Sequence, residues 1–213
     1  MGGSLLESHG PRKEMMQENK VHETDGVSLN GFAQLLLRIV DLRDPYAKYH
    51  SDQVSELSAE LAQRINMSVA ELKVLQYAAA LHDVGKLAMN ESVVNKPSLL
   101  TRAEFLMIQQ HTVLGYNLIK PLNIDSMITA VILSHHENFD GSGYPEGLKG
   151  EMIPLTARLI RITDFYDALT SRRSYRARAK YEPKEALDIL QENRHCFDPF
   201  LFDAFVDMVA QKS

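Results

Sequence analysis

Apolar residues return at steps of three and four along nearly the whole chain after Leu29, and nowhere do they alternate at period two long enough to line one face of a sheet. Phe32, Leu35, Leu36, Ile39 and Val40 form one such stripe, which Pro45 is expected to end. Val54, Leu57, Leu61 and Ile65 form a second. Ser68 with Glu71, and Thr101 with Glu104, carry the spacing of a capping box, in which each side chain bonds the other residue's backbone N–H. The first opens a helix through Leu72, Leu75, Ala79 and His82, with Gly85 as its expected stop. The second is expected to open one continuous helix through Phe105, Ile108, His111, Thr112 and Gly115. Ile124 to Glu137 reads as a further helix, Pro154 restarts another through Asp164, and Pro183 and Pro199 fall in the first turns of the last two. The expected fold class is therefore all-α: one compact domain of about seven or eight helices over 29–213. Residues 1–28, polar and broken by Gly2, Gly3, Gly10 and Pro11, read as a flexible tail or the remnant of a linker to an upstream domain.

Composition narrows the function. With 213 residues, the chain can bury roughly 70% of its extended surface without a disulfide or structural metal. A net charge of −5 argues against a grip on long nucleic acid, although a local cationic site can still hold a small anion. The single cysteine, Cys196, rules out an internal disulfide and fits a reducing compartment. No apolar run approaches membrane-spanning length, so cytoplasmic localisation is the expectation.

The histidines and aspartates carry the chemistry. His82-Asp83 and His135-His136 fall near helix ends, and Asp164 interrupts an apolar helix, where an unpaired carboxylate would be costly to bury. His50, His82, Asp83, His111, His135, His136 and Asp164 are seven candidate ligands. That is too many for one tetrahedral zinc and enough for two six-coordinate ions completed by water. Adjacent residues at a helix end can flank a metal from two sides, and a carboxylate with two oxygens can bridge two ions. Nitrogen-rich, thiolate-free ligation suits iron or manganese, with zinc and nickel as alternatives. Two ions a few ångströms apart can deprotonate a shared water and stabilise its attack on phosphorus. Lys86 is placed either to meet a phosphate oxygen or to pair with a site carboxylate. Asn138 to Pro154 is a Gly-rich loop.

His82-Asp83 resembles the signature of the HD superfamily of metal-dependent phosphohydrolases. The stretch from His135 through Glu137, Asp140 and Gly143-Tyr144-Pro145 resembles its HD-GYP subfamily, associated with cleavage of cyclic di-GMP. The likeness runs from about Asp44 to Pro199 and includes Arg43-Asp44-Pro45-Tyr46, Lys96-Pro97, Glu104, Arg158 and Arg173. The resemblance implies an HD-type helical domain whose metal ligands are the seven residues above, with Asp83 bridging and Lys86 contacting the scissile phosphate. It implies substrate-binding roles for Gly143 and Tyr144, and for Arg158 and Arg161. Tyr144 could equally pack the loop onto the domain, and Asp167 could orient a ligand or an arginine.

Two departures qualify the expected activity. Tyr46 stands where relatives holding three metals place a glutamate, and Gln53 stands where many show arginine. The resemblance thus implies two metals and mainly linear pGpG as product, formed by attack of a bridging hydroxide. The alternatives are hydrolysis of another nucleotide and a metal-containing receptor or interaction module without turnover. A receiver or sensory domain upstream is an expected partner. Phe200, Phe202, Phe205 and Val209 read as core or as interface, which leaves a homodimer open. His9, His22 and His195 are expected to be noncatalytic, and Cys196 to fill an apolar corner beside Phe197. Arg172, Arg173, Arg176, Arg178 and Lys180 read as a solvated or partner-facing basic stretch.

Overall fold

The structure, a computed structural model, describes residues 31, 34–36, 38–40, 45–171 and 180–212, with side chains from 49 onward in the second of these helical stretches. The expected tail, Phe32, Arg43-Asp44 and the arginines at 172, 173, 176 and 178 lie outside the described residues, as does the side chain of Tyr46.

Among the described residues the regular structure is helical throughout, with Gly31 and the described positions of 34–40 also in helix. Nine α-helices follow: α1 (Pro45–Arg64), α2 (Val69–Leu81), α3 (Glu91–Val94), α4 (Arg102–Gln109), α5 (His111–Ile119), α6 (Ser126–Ser134), α7 (Leu155–Thr170), α8 (Pro183–Glu192) and α9 (Pro199–Ala210). Short 3-10 turns at Val84–Ala88, Lys120–Leu122, Gly150–Met152 and Arg194–Cys196 join them. Both capping boxes form, at Ser68/Glu71 and at Thr101/Glu104. Lys96 adds an ion pair of 2.7 Å to Glu104, and that lysine with the Thr101 N–H holds the Glu104 carboxyl down at about 2. Asp125 and Asp198 cap α6 and α9 by accepting main-chain N–H bonds, the latter ahead of Pro199 at N1.

The expected single helix over Thr101–Gly115 is instead two. The chain turns at Gln110, where the Ile108 carbonyl accepts the His111 Nδ1–H at 2.7 Å and the Gln109 carbonyl accepts the Thr112 hydroxyl at 3.2 Å. Side chains thus take up the last carbonyls of α4, and His111 becomes the first residue of α5 rather than a mid-helix position. This division, and the four-residue α3, account for the excess over the seven or eight helices expected.

Helix α7 is the hub. It packs on α1, α6, α8 and α9, while α2 packs on α1 and α6. The core between them holds Val54, Leu61, Leu75, Ala78, Ile128, Val131, Leu159, Ile160, Ile162, Phe202 and Phe205, all at most 1% exposed. Phe202, Phe205 and Val209 are therefore core residues, whereas Phe200 is 64% exposed. No helix among the described residues is long and apolar enough to cross a membrane. Where α2 ends and α5 begins the backbones touch: a Cβ on Gly85 would lie 1.9 Å from the His111 carbonyl oxygen and 2.5 Å from the Gly115 nitrogen. Gly85 is thus more than a helix stop. Its missing side chain lets the His82-Asp83 turn approach His111.

Candidate metal centre

Four of the five candidate histidines are fixed by one ring nitrogen. His82 Nδ1 lies 2.6 Å from the Ala79 carbonyl, His111 Nδ1 2.7 Å from Ile108, and His135 Nδ1 3.1 Å from the carbonyls of Val131 and Ile132. A carbonyl only accepts, so Nδ1 carries the proton in all three rings and Nε2 presents a lone pair. On α1, His50 Nδ1 is 2.5 Å from Asp167 Oδ2, whose other oxygen accepts the Ser171 hydroxyl at 2.7 Å. Asp167 thus orients the His50 ring, a candidate ligand.

The Nε2 atoms turn toward one another. His111 Nε2 and His135 Nε2 are 3.1 Å apart, and His111 Nε2 is 3.2 Å from Asp83 Oδ1. With the tautomers set as above, these are lone pairs facing lone pairs. Buried His82 Nε2 and Asp83 Oδ1 have no hydrogen-bond partner. Electron pairs crowded in this way repel unless a cation stands among them. The donor set therefore fits a metal ion.

All seven sequence-derived ligands fall into two groups. Asp83, His111, His135 and His136 bring ligand atoms within 4.8 Å of one another, and so do His50, His82 and Asp164. Asp83 joins them: Oδ1 faces His111, while Oδ2 lies 3.4 Å from His82 Nε2 and 4.0 Å from His50 Nε2. His50 Nε2 is 3.1 Å from Asp164 Oδ1. All except His136 are buried.

The electrostatics follow from burial. Burial alone would raise the Asp83 carboxyl, but the Lys86 ammonium, with His82 and His111, holds it well below the usual carboxylate range. Burial would raise the Asp164 carboxyl, but the hydrogen bond to His50 and the imidazoles packed round it hold it well below the usual carboxylate range. Burial pushes His111, His135 and His136 down, keeping them neutral and able to ligate.

The remaining sequence-derived site residues divide. Lys86, in the turn after α2, pairs with Asp83 Oδ2 and remains 29% exposed. Tyr144 stacks on His136, with ring centroids 4.8 Å apart, so one face of its ring packs the loop onto a ligand. Burial pushes its phenol up. Arg161, half-buried on α7, donates from Nε to Asn138 Oδ1 at 2.9 Å and lies over Phe165 and Phe197. Burial lowers its guanidinium pKa, against the opposing charge of Asp164. Arg158 is engaged elsewhere: it pairs with Asp198 and donates to the Ile153 carbonyl at 2.9 Å, bracing the start of α7. Gly143 lacks a Cβ because its own loop requires it. A Cβ there would lie 2.2 Å from the Asn138 nitrogen and 2.5 Å from the Glu137 Cα.

Glu137 carries a role that its sequence position did not reveal. Buried at 1% exposure, its carboxylate accepts from the backbone N–H groups of Glu146 (2.7 Å), Gly147 (3.1 Å) and Leu148 (3.0 Å). It thereby clamps the Gly-rich loop beside the paired histidines. Its partners are backbone groups, which carry no side-chain signature in the sequence.

A helical domain that gathers five imidazoles and two carboxylates in this way is built as a metal centre. The HD domain family model matches residues 34–201, and the chain belongs to that family, with the HD-GYP stretch at its centre. It is 36% identical over 195 residues to the cyclic di-GMP phosphodiesterase response regulator RpfG of Xanthomonas campestris, covering 91% of this chain and 50% of that protein. It is also 36% identical over 168 residues to 3'3'-cGAMP-specific phosphodiesterase 3 of Vibrio cholerae, covering 78% of this chain and 36% of that protein. Among solved structures, an HDGYP protein from Bdellovibrio bacteriovorus superposes with a TM-score of 0.64 at 19% identity, over 84% of this chain and 60% of that one. The chain thus spans half or less of the length of these curated relatives.

Proposed function

We propose that this chain is the catalytic domain of a metal-dependent phosphodiesterase that opens cyclic di-GMP, releasing mainly linear pGpG. The observation that carries the proposal is Asp83, whose two oxygens face two separate groups of ligands. His111, His135 and His136 would hold one divalent ion, and His50, His82 and Asp164 the other, with Asp83 shared; iron or manganese suits this thiolate-free set best. When bound, such a pair supplies a water acidic enough to act as nucleophile and offsets charge on the phosphoryl oxygens.

The chain's own residues do the rest. Lys86, partly exposed beside Asp83, is placed to meet a nonbridging phosphate oxygen. Tyr144 keeps its phenolic proton and can donate it in a hydrogen bond to the ligand. Arg161 contributes a half-buried positive charge beside Asp164 and, through its bond to Asn138, positions the loop rather than the phosphate. Glu137 holds the loop closed on this face. The absence of a glutamate at Tyr46 supports two metals and a stop at pGpG. The length of the relatives supports a further domain beside this one.

A second cyclic dinucleotide is favoured by one observation: relatives named for cyclic di-GMP and for 3'3'-cGAMP stand at the same 36% identity. The ligand set reads a phosphodiester and is indifferent to the base. Protein loaded without oxygen with iron or manganese should convert cyclic di-GMP to pGpG, and Asp83→Ala should abolish metal and turnover together. Absence of product with iron, manganese, nickel or zinc would refute the proposal. Faster turnover of 3'3'-cGAMP in the same assay would transfer it to the second substrate.

A further inference from the structure

A third set of ligand atoms lies outside the centre just described. Asp140, His195 and Cys196 each bring one donor within 4.8 Å of the others, from the Gly-rich loop and from the Arg194–Cys196 turn. The two segments are joined by a main-chain bond from the Phe139 N–H to the Cys196 carbonyl, at 2.9 Å. Asp140 is already half committed: Oδ1 accepts from the Ser142 N–H at 2.9 Å and from its hydroxyl at 2.7 Å. Its Oδ2 points the other way, 3.9 Å from His195 Nε2.

We propose that Asp140, His195 and Cys196 form a separate zinc site that staples the Gly-rich loop to the turn before α9. The donor chemistry selects the ion. One thiolate, one imidazole and one carboxylate suit zinc, whereas magnesium and calcium prefer all-oxygen sets. Three protein ligands and a water complete a tetrahedron, in which ligand distances of about 2.0–2.3 Å put neighbouring donors roughly 3.3–3.7 Å apart. From 3.9 Å, the Asp140 and His195 atoms need to close by only about 0.5 Å to reach that spacing. Thiolate and carboxylate together neutralise the dication, and His195, 62% exposed, leaves the ion a path in. The loop so stapled is the one that carries Tyr144. Ser142 also accepts the Asn138 amide at 2.9 Å, and Asn138 in turn accepts Arg161. Occupancy would therefore stiffen a network that ends beside Asp164.

Cys196 is the only cysteine, so a thiolate signal reports this site and no other. Cobalt(II) is the probe, added to the full chain after the histidine centre has been filled with manganese. A thiolate-to-cobalt charge-transfer band should appear, saturate and bleach on adding zinc. It should vanish in Cys196→Ser and need at least tenfold more cobalt in His195→Ala and in Asp140→Asn. No band would overturn the proposal. A band unchanged by His195→Ala and Asp140→Asn would also overturn it, because a lone thiol would then be the whole site. Far-ultraviolet circular dichroism of each variant, expected to match the parent, establishes that the loss is local.

Discussion

Replacing Gly85 by alanine tests whether the centre depends on backbone contact rather than on ligand identity alone. The added Cβ would lie 1.9 Å from the His111 carbonyl oxygen and 2.5 Å from the Gly115 nitrogen, and both obstacles are main chain. Restoring an ordinary contact of 3.4 Å means separating the turn after α2 from the start of α5 by about 1.5 Å. Neither segment can relieve the clash by changing a rotamer. Overpacking of this kind costs about 1–3 kcal/mol. At roughly 2–4 °C per kcal/mol for a chain of this size, the melting temperature should fall by about 2–12 °C. The effect on metal should be larger in proportion. Asp83 and His111 ride on the two segments that are pushed apart, and metal ligation tolerates only about 0.2 Å of displacement. Thermal denaturation and elemental analysis of the purified variant measure the two effects together. Gly150→Ala is the control: its Cβ would meet nothing within 4 Å, so only the strain of φ +60° applies and metal content should be unchanged. A Gly85→Ala protein with parental melting temperature and full metal content would refute the reasoning.

Three further outcomes follow from the same geometry. Asp167→Ala frees the His50 ring from its 2.5 Å bond and should weaken metal binding about 10–100-fold, read by competition with a chelator. Glu137→Gln removes the charge that receives three backbone N–H bonds and should cost about 1–3 kcal/mol, with faster proteolysis inside 138–150 as the local readout. Acidification should destabilise metal-free protein in denaturant melts. His111, His135 and His136 have folded pKa values below their unfolded value of 6.5, so unfolded chains bind more protons and stability drops as pH falls through that value. Asp83 and Asp164, also depressed, add to the loss below 3.8; stability independent of pH from 8 to 4 would contradict the buried neutral rings.

The side chains that converge at the candidate centre were legible in the sequence because their setting is anomalous. Adjacent His and Asp at the end of an apolar run, and a carboxylate within α7, are residues that burial penalises unless something compensates. The helices were legible through their period and caps, and Ser68/Glu71 and Thr101/Glu104 form as their spacing predicts. The division at Gln110 was not, because it depends on a histidine ring and a threonine hydroxyl turning back onto α4, and side-chain competition for carbonyls leaves the apolar period intact. Glu137 and Asp198 were illegible for a related reason: their partners are loop amides and an arginine that only the folded chain brings near. Arg158 shows the converse. A basic residue about two turns before a candidate ligand invites a phosphate, and the acid that claims it is 40 residues away.

The anchoring of the imidazoles bears on which ions the domain can accept. Three rings are tied to main-chain carbonyls and a fourth to Asp167, so the spacing of their inward-facing nitrogens follows from the helices that carry them. A cage made this way cannot swell or shrink to suit its guest. Discrimination among cations of similar charge then becomes a question of radius, decided when the bundle folds and not when the ion arrives.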